Sequence, residues 1–169
     1  SIQPLSCLSE DRKMIVDTGI KYLDHIIMNF CKYISLEVKI NPISKNKTPR
    51  SIIRNTTELL SKAMSLSITN TSIVGFGYAS IPSDESLAKV SLDLKNSQYC
   101  KVELGMKGCQ IDDLQKEDLE YFFHLLSKNL KACLHITVEY GIYDKHKVDA
   151  VVKALAMAWR QATNRYEKK

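Results

Sequence analysis

The sequence predicts an α+β fold in which helices cover one face of the sheets, and two observations lead there. Apolar residues at helical spacing alternate along the chain with apolar residues at strand spacing, and one helix-then-strand unit occurs twice. The 169 residues, 44% apolar and 25% charged, have the balance of an ordinary globular chain. That length suits one compact domain or two small repeats sharing a core. No stretch approaches the roughly 20 apolar residues that a membrane helix needs; residues 150–155 are too few and are interrupted by Lys153.

In chain order, residues 21–40 form the first unit. Leu23, Ile26, Ile27 and Phe30 make a helical stripe, and Leu36, Val38 and Ile40 then alternate as one face of a strand. A second amphipathic helix follows near residues 57–68, with Leu59, Ala63 and Leu66 on one face and Thr56 as a capping residue. Residues 87–94 and 99–104 predict two strands about a turn at residues 95–98; Cys100, Val102 and Leu104 alternate in the second of them. The unit recurs at residues 119–138, with Leu119, Phe122, Phe123 and Leu126 on the helix and Leu134, Ile136 and Val138 on the strand. A closing helix near residues 146–162 carries Val148, Val151, Val152, Leu155 and Trp159, with Asp144 placed to cap it. The uncovered sheet face must be solvated or buried against another copy, and the second case predicts an oligomer.

The net charge of +5 comes from scattered Lys and Arg, apart from a terminal cluster at Arg165, Lys168 and Lys169. No RNP-like aromatic strand or glycine-rich phosphate loop accompanies them, so no motif supports nucleic-acid contact. The cysteines, at Cys7, Cys31, Cys100, Cys109 and Cys133, are odd in number and include no C-x-x-C pair. Reduced thiols in an intracellular, reducing compartment are expected, whether the cytoplasm or an organelle such as a mitochondrion or plastid. The chain starts at Ser1 without an initiator Met, which leads us to expect an upstream presequence or tail.

Several segments resemble imidazoleglycerol-phosphate dehydratase, a manganese-dependent lyase family of histidine biosynthesis. TGIKYLDH at residues 18–25 is similar to T-G-I-x-F-L-D-H, and FGYASIPSDESL at 76–87 to F-G-x-A-x-x-P-x-D-E-A-L. VSLDL at 90–94 with Tyr99 resembles V-x-x-D-L-S-G-R-P-Y. Leu134-His135-Ile136 resembles part of T-L-H-I, and KALAMAWRQAT at 153–163 resembles K-A-x-x-x-A-L-R-Q-A. The matches are in order and span residues 18–163. The resemblance implies two repeated β-α units of the ribosomal protein S5 domain 2-like class and a trimer-based homo-oligomer, or else a place in a heteromeric complex. It divides the chain into a divergent N-terminal segment, 1–17, a first repeat, 18–95, and a second repeat, 96–169.

In that family the metals are held by paired H-H-x-x-E motifs and isolated histidines. Residues four apart share a helix face, so His and Glu in the motif can hold one cation, and imidazole with carboxylate suits a manganese-like ion. Here the first motif reads RNTTE at 54–58 and the second KHKVD at 145–149. Metal-ligand positions are thus retained at His25, Glu58, His135, His146 and Asp149 and changed at Arg54, Asn55 and Lys145. Arg is always protonated and binds no metal. Arg54 and Lys145 are expected to neutralise Asp149 and Glu58 in the metals' stead, making the old site a salt-bridged joint. No resident metal is expected beyond one weakly bound manganese or similar ion at His25, Asn55, Glu58 and His146. His124 matches no ligand position and is expected on a helix surface.

On the substrate side, the family's phosphate-binding arginines align with Ser97 and, less closely, Gln110, and the basic C-terminal pattern is missing. Tight phosphate binding needs convergent charge-assisted hydrogen bonds. Asp84 and Glu85 are retained and are expected to serve as loop and cap groups. The combined losses predict a catalytically degenerate relative acting as a structural or assembly subunit. The alternatives are an active dehydratase with an altered metal site, and a binder of another small anion in the old cleft.

Overall fold

The computed structural model describes residues 14–41, 48–68, 72–95 and 98–166. Strand β1 (Ile15–Val16) leads into helix α1 (Lys21–Tyr33), and the short strand β2 (Lys39–Ile40) returns to pair parallel with β1. Of the strand expected over 36–40, only this end is strand. Helix α2 (Pro49–Ser67) follows, and then the hairpin β3 (Phe76–Ser83) and β4 (Ser86–Asp93). Strand β5 (Tyr99–Glu103), the small hairpin β6 (Gln110–Ile111) and β7 (Leu114–Gln115), helix α3 (Lys116–Leu130), strand β8 (Cys133–Tyr140) and helix α4 (Asp144–Ala162) complete the chain.

The main sheet is four-stranded in the order β3-β4-β8-β5, antiparallel except for the parallel β5–β8 pair. Helix α4 lies across β3 and β4, α3 lies over β5, α1 packs on α4, and α2 packs on α3. All four stripe residues of α1 and all four of α3 are buried, as their spacing predicts. The expected α+β class with one covered sheet face is what the chain adopts.

Strand β3 escaped the sequence reading because its inward side is small. Gly77 and Ala79 face in, Phe76 and Tyr78 face out, and that pattern reverses the usual signal of a half-buried strand. The small residues are needed by α4. A Cβ at Gly77 would stand 1.9 Å from the Ala158 carbonyl oxygen.

Helix α2 begins at Pro49, well before residue 57, because Thr48 caps it and Pro at the first helical position pre-sets the backbone. The Thr48 hydroxyl accepts from the Ser51 amide at 3.3 Å. Thr56 is therefore no cap; it is buried inside the helix. The predicted face also turns. Leu59 and Leu66 are 54% and 74% exposed, while Ile53, Leu60 and Met64 are buried with Thr56, Thr57 and Ser61. Hydroxyls can line a buried face when they bond back along the helix. Thr57 donates to the Ile53 carbonyl and Ser61 to the Thr57 carbonyl, both at 2.6 Å.

Long-range capping fixes how the helices start. The Asp113 carboxylate, in the β6–β7 turn, accepts the Lys21 and Tyr22 amides of α1 at 2.7 and 3.0 Å. Asp144 is not the expected cap of α4 but its first residue, and its carboxylate instead accepts the loop amides of Lys107 and Gly108, at 3.0 and 2.8 Å for the closer oxygens. Those amides hold its carboxyl below the usual range although burial pushes the other way. The buried Lys147 ammonium bonds Asp144 at 3.0 Å and the Gly105 carbonyl at 2.6 Å, tying α4 to the loop after β5. The four cysteines among the described residues, Cys31, Cys100, Cys109 and Cys133, are unpaired; Cys7 lies outside them. No helix among the described residues is long and apolar enough to cross a membrane.

Candidate functional site

Where α1 crosses α4 beside the β3–β4 turn, a cleft of about 220 Å³ opens, lined by His25, Asn29, Asp84, Asp149 and Lys153 among others. Each element supplies its group for a local reason. Asp149 and Lys153 are one helical turn apart on α4, so both face the cleft. Asp84 and Glu85 are the two turn residues joining paired Ser83 and Ser86, with Asp84 at φ +50°.

Glu85 is the hub of this turn. Its carboxylate accepts the Ile142 and Tyr143 amides at 3.0 and 2.9 Å, at the start of α4, and the His146 Nδ1 at 2.6 Å. The Tyr143 amide first, and the imidazole next, hold the Glu85 carboxyl well below the usual range. The same hydrogen bond raises His146, helped by the Glu85 and Asp84 charges. The other ring nitrogen, Nε2, stands 3.7 Å from Asp84. Glu85 thus holds the loop just before α4, and carries an oriented imidazole with it.

His25 sits on the far wall. Its Nε2 lies 3.1 Å from the Asn29 amide nitrogen and 3.5 Å from an Asp149 oxygen. Lys153 donates to the Ser83 hydroxyl at 3.0 Å. The sequence reading passed over Lys153 as a break in an apolar run; its spacing of four from Asp149 was the available signal.

His25, His146 and Asp149 therefore come together with Asp84 and Glu85, while the other expected residues stand elsewhere. Glu58, Arg54 and Asn55 ride on α2, which packs on α3 and away from the α1–α4 cleft. His135 points from the uncovered sheet face, 3.4 Å from the Cys133 sulfur and against the Tyr99 ring. Gln110 is exposed on β6, bonding Gln115 and the Asp112 carbonyl, while Ser97 lies outside the described residues. His124 is exposed on α3, as expected.

Among the described residues of one chain the expected salt-bridged joint does not form. Lys145 pairs with Asp112 at 3.4 Å, and Arg54 is exposed with no ion pair among the described residues. The reason is helix placement: α2 holds Arg54 on one side of the chain and α4 holds Asp149 on another. Within one chain the same separation keeps Asn55 and Glu58, on α2, apart from His25 and His146. Among the described residues of one chain, no three His, Cys, Asp or Glu side chains are grouped to hold a metal. The donors of one chain thus do not fit a dimetal centre.

The sequence profile of imidazoleglycerol-phosphate dehydratase matches residues 18–159. The chain belongs to the imidazoleglycerol-phosphate dehydratase family. The dehydratase of Chloroherpeton thalassium is 31% identical over 157 residues, covering 92% of this chain and 81% of that protein. The dehydratase of Methanococcoides burtonii is 34% identical over 149 residues, covering 87% and 78%. The crystal structure of the Pyrococcus furiosus dehydratase superposes with a TM-score of 0.76 at 28% identity, covering 89% of this chain and 84% of that one. The Staphylococcus aureus structure superposes with a TM-score of 0.79 at 21% identity, covering 94% and 91%, and supports the fold.

These matches overturn the expectation of a catalytically degenerate structural or assembly subunit. Relatives that bear the dehydratase's name match this chain along nearly its whole length, and nothing in them marks degeneracy. Changes at ligand positions are a local property of two helices. They bear on those positions alone and do not decide the activity of the whole chain.

Proposed function

We propose that the protein is a carbon–oxygen lyase that removes water from imidazoleglycerol phosphate, working with altered groups at the family's metal-ligand positions. The observation that carries this reading is the Glu85–His146 hydrogen bond at 2.6 Å, beside a cleft in a chain of the dehydratase family. Elimination of water takes a proton from carbon and delivers one to the departing hydroxyl, so it needs a base and an acid. His146, whose protonated form the Glu85 hydrogen bond favours, supplies the acid. His25, on the opposite wall of the cleft and 3.5 Å from Asp149, supplies the base through a ring nitrogen. Lys153 places an ammonium in the cleft for the anionic part of the substrate.

The test is direct turnover: purified protein with imidazoleglycerol phosphate, with and without added Mn²⁺, followed by formation of the dehydrated ketone. Ketone formation under either condition supports the proposal, and none under both refutes it. A homo-oligomer is part of the same reading. The uncovered sheet face exposes Phe76, Tyr78 and Tyr99 by 58%, 53% and 54%, which suits burial against another copy. Light scattering that gives a monomer mass at micromolar concentration refutes that part.

A further inference from the structure

Ser83 is the last residue of β3, on the strand's buried side, and is 5% exposed. A hydroxyl taken out of water needs a partner. Here it is the Lys153 ammonium, which donates to the Ser83 hydroxyl oxygen at 3.0 Å. Both side chains line the cleft. The bond therefore fixes the charged end of a long, flexible side chain at one point of the cleft wall, where α4 lies on β3.

The ammonium is held without being neutralised. Among the described residues no carboxylate lies within ion-pair distance of Lys153, although Asp149 is one helical turn away on the same face. Asp149 instead stands 3.5 Å from His25, and Asp84, the cleft's other carboxylate, stands 3.7 Å from His146. A lysine ammonium carries several N–H donors and the serine takes one of them, so the others remain for the cleft. A carboxylate in the serine's place would hold the same nitrogen and cancel its charge. The hydroxyl holds it and leaves the charge to a ligand.

We propose that Ser83 is a positioning residue for an anion subsite, its hydroxyl setting the Lys153 ammonium where the phosphate of the substrate docks. The inference rests on the lyase reading and deepens it. Charge-assisted bonds to a phosphate give the most affinity when the donor is already in place, because ordering a free lysine chain on binding works against it. Without the hydroxyl the ammonium can swing one turn back to Asp149, and the phosphate then competes with a carboxylate for it. The loss falls on binding and not on the chemical step, since the serine acts through the ammonium.

The experiment titrates inorganic phosphate by calorimetry into the parent, Ser83→Ala and Ser83→Thr, beside steady-state turnover of imidazoleglycerol phosphate. Ser83→Ala weakens phosphate binding by about five- to tenfold and raises KM by a similar factor, with kcat within about twofold. Ser83→Thr keeps the hydroxyl and binds phosphate within about twofold of the parent. In a Lys153→Met background Ser83→Ala raises KM no further, because the two residues act through one contact. Phosphate binding and KM unchanged in Ser83→Ala overturn this inference, as does a parent that binds no phosphate. A Ser83→Thr protein that melts with the parent yet binds phosphate as weakly as Ser83→Ala also overturns it. A parent that binds phosphate but forms no ketone from imidazoleglycerol phosphate overturns the lyase reading, while the phosphate titrations still decide the role of Ser83.

Discussion

Replacing Gly77 with Ala tests how the sheet positions the site. The backbone there is ordinary strand in β3, so the substitution strains no dihedral angle; the difficulty is space. The new Cβ would lie 1.9 Å from the Ala158 carbonyl oxygen and 2.8 Å from its carbon. Both are backbone atoms of α4, so no side chain can rotate away. To reach ordinary contact, α4 must retreat from β3 by roughly 1 Å or more. Overpacking of a close-packed interior costs about 1–3 kcal/mol, and two rigid backbones put this case at the upper end. For a domain of this size that is a fall in Tm of roughly 6–10 °C. Because α4 carries His146, Asp149 and Lys153, the retreat also shifts all three from Glu85, His25 and Ser83. A displacement near 1 Å at reacting groups lowers turnover by up to about 100-fold. Melting by circular dichroism and steady-state turnover of imidazoleglycerol phosphate check the two effects together. A variant within about 2 °C of the parent in Tm, with unchanged kcat/KM, refutes the reasoning.

Glu85→Gln keeps the shape of the hub and removes its charge, so His146 loses the partner that favours its protonated form; kcat falls by about 100-fold, measured by steady-state turnover. The same pair makes stability depend on pH. His146 is raised above its ordinary 6.5, so its contribution is complete below 6.5 and is lost as pH rises through the folded value. Glu85 is lowered from 4.5, so its contribution is complete above 4.5 and is lost as pH falls through the folded value. The Tm gap between parent and Glu85→Gln is therefore widest between those limits and narrows on both sides; a flat gap counts against the pairing. Lys147→Met leaves Asp144 and the Gly105 carbonyl without their buried cation and destabilises by about 3 kcal/mol in urea unfolding.

The apolar stripes of α1 and α3 and the inward residues of β8 were legible in the sequence, because burial on one face imposes a period that linear spacing records. His25, His146, Asp149 and Asp84 with Glu85 were legible as candidates for a different reason, that residue type bounds what chemistry a position can do. The burial of α2 was misread because its inner face is partly hydroxyl, and β3 was missed because its inner face is nearly bare. In both cases the partner helix, not local hydropathy, sets what the position tolerates.

Grouping was decided only by tertiary structure. Spacing along the chain could not show that α4 crosses α1 while α2 crosses α3, and that choice separates Arg54 and Glu58 from Asp149 and His25. Nor could it show that Lys145 answers Asp112, or that Asp113 caps a helix 91 residues away. The sequence by itself determined the α+β class, the buried stripes and the kinds of group available. The folded chain decided which of those groups meet, because hydrogen bonds and charges act over a few ångströms of space whatever the separation along the chain.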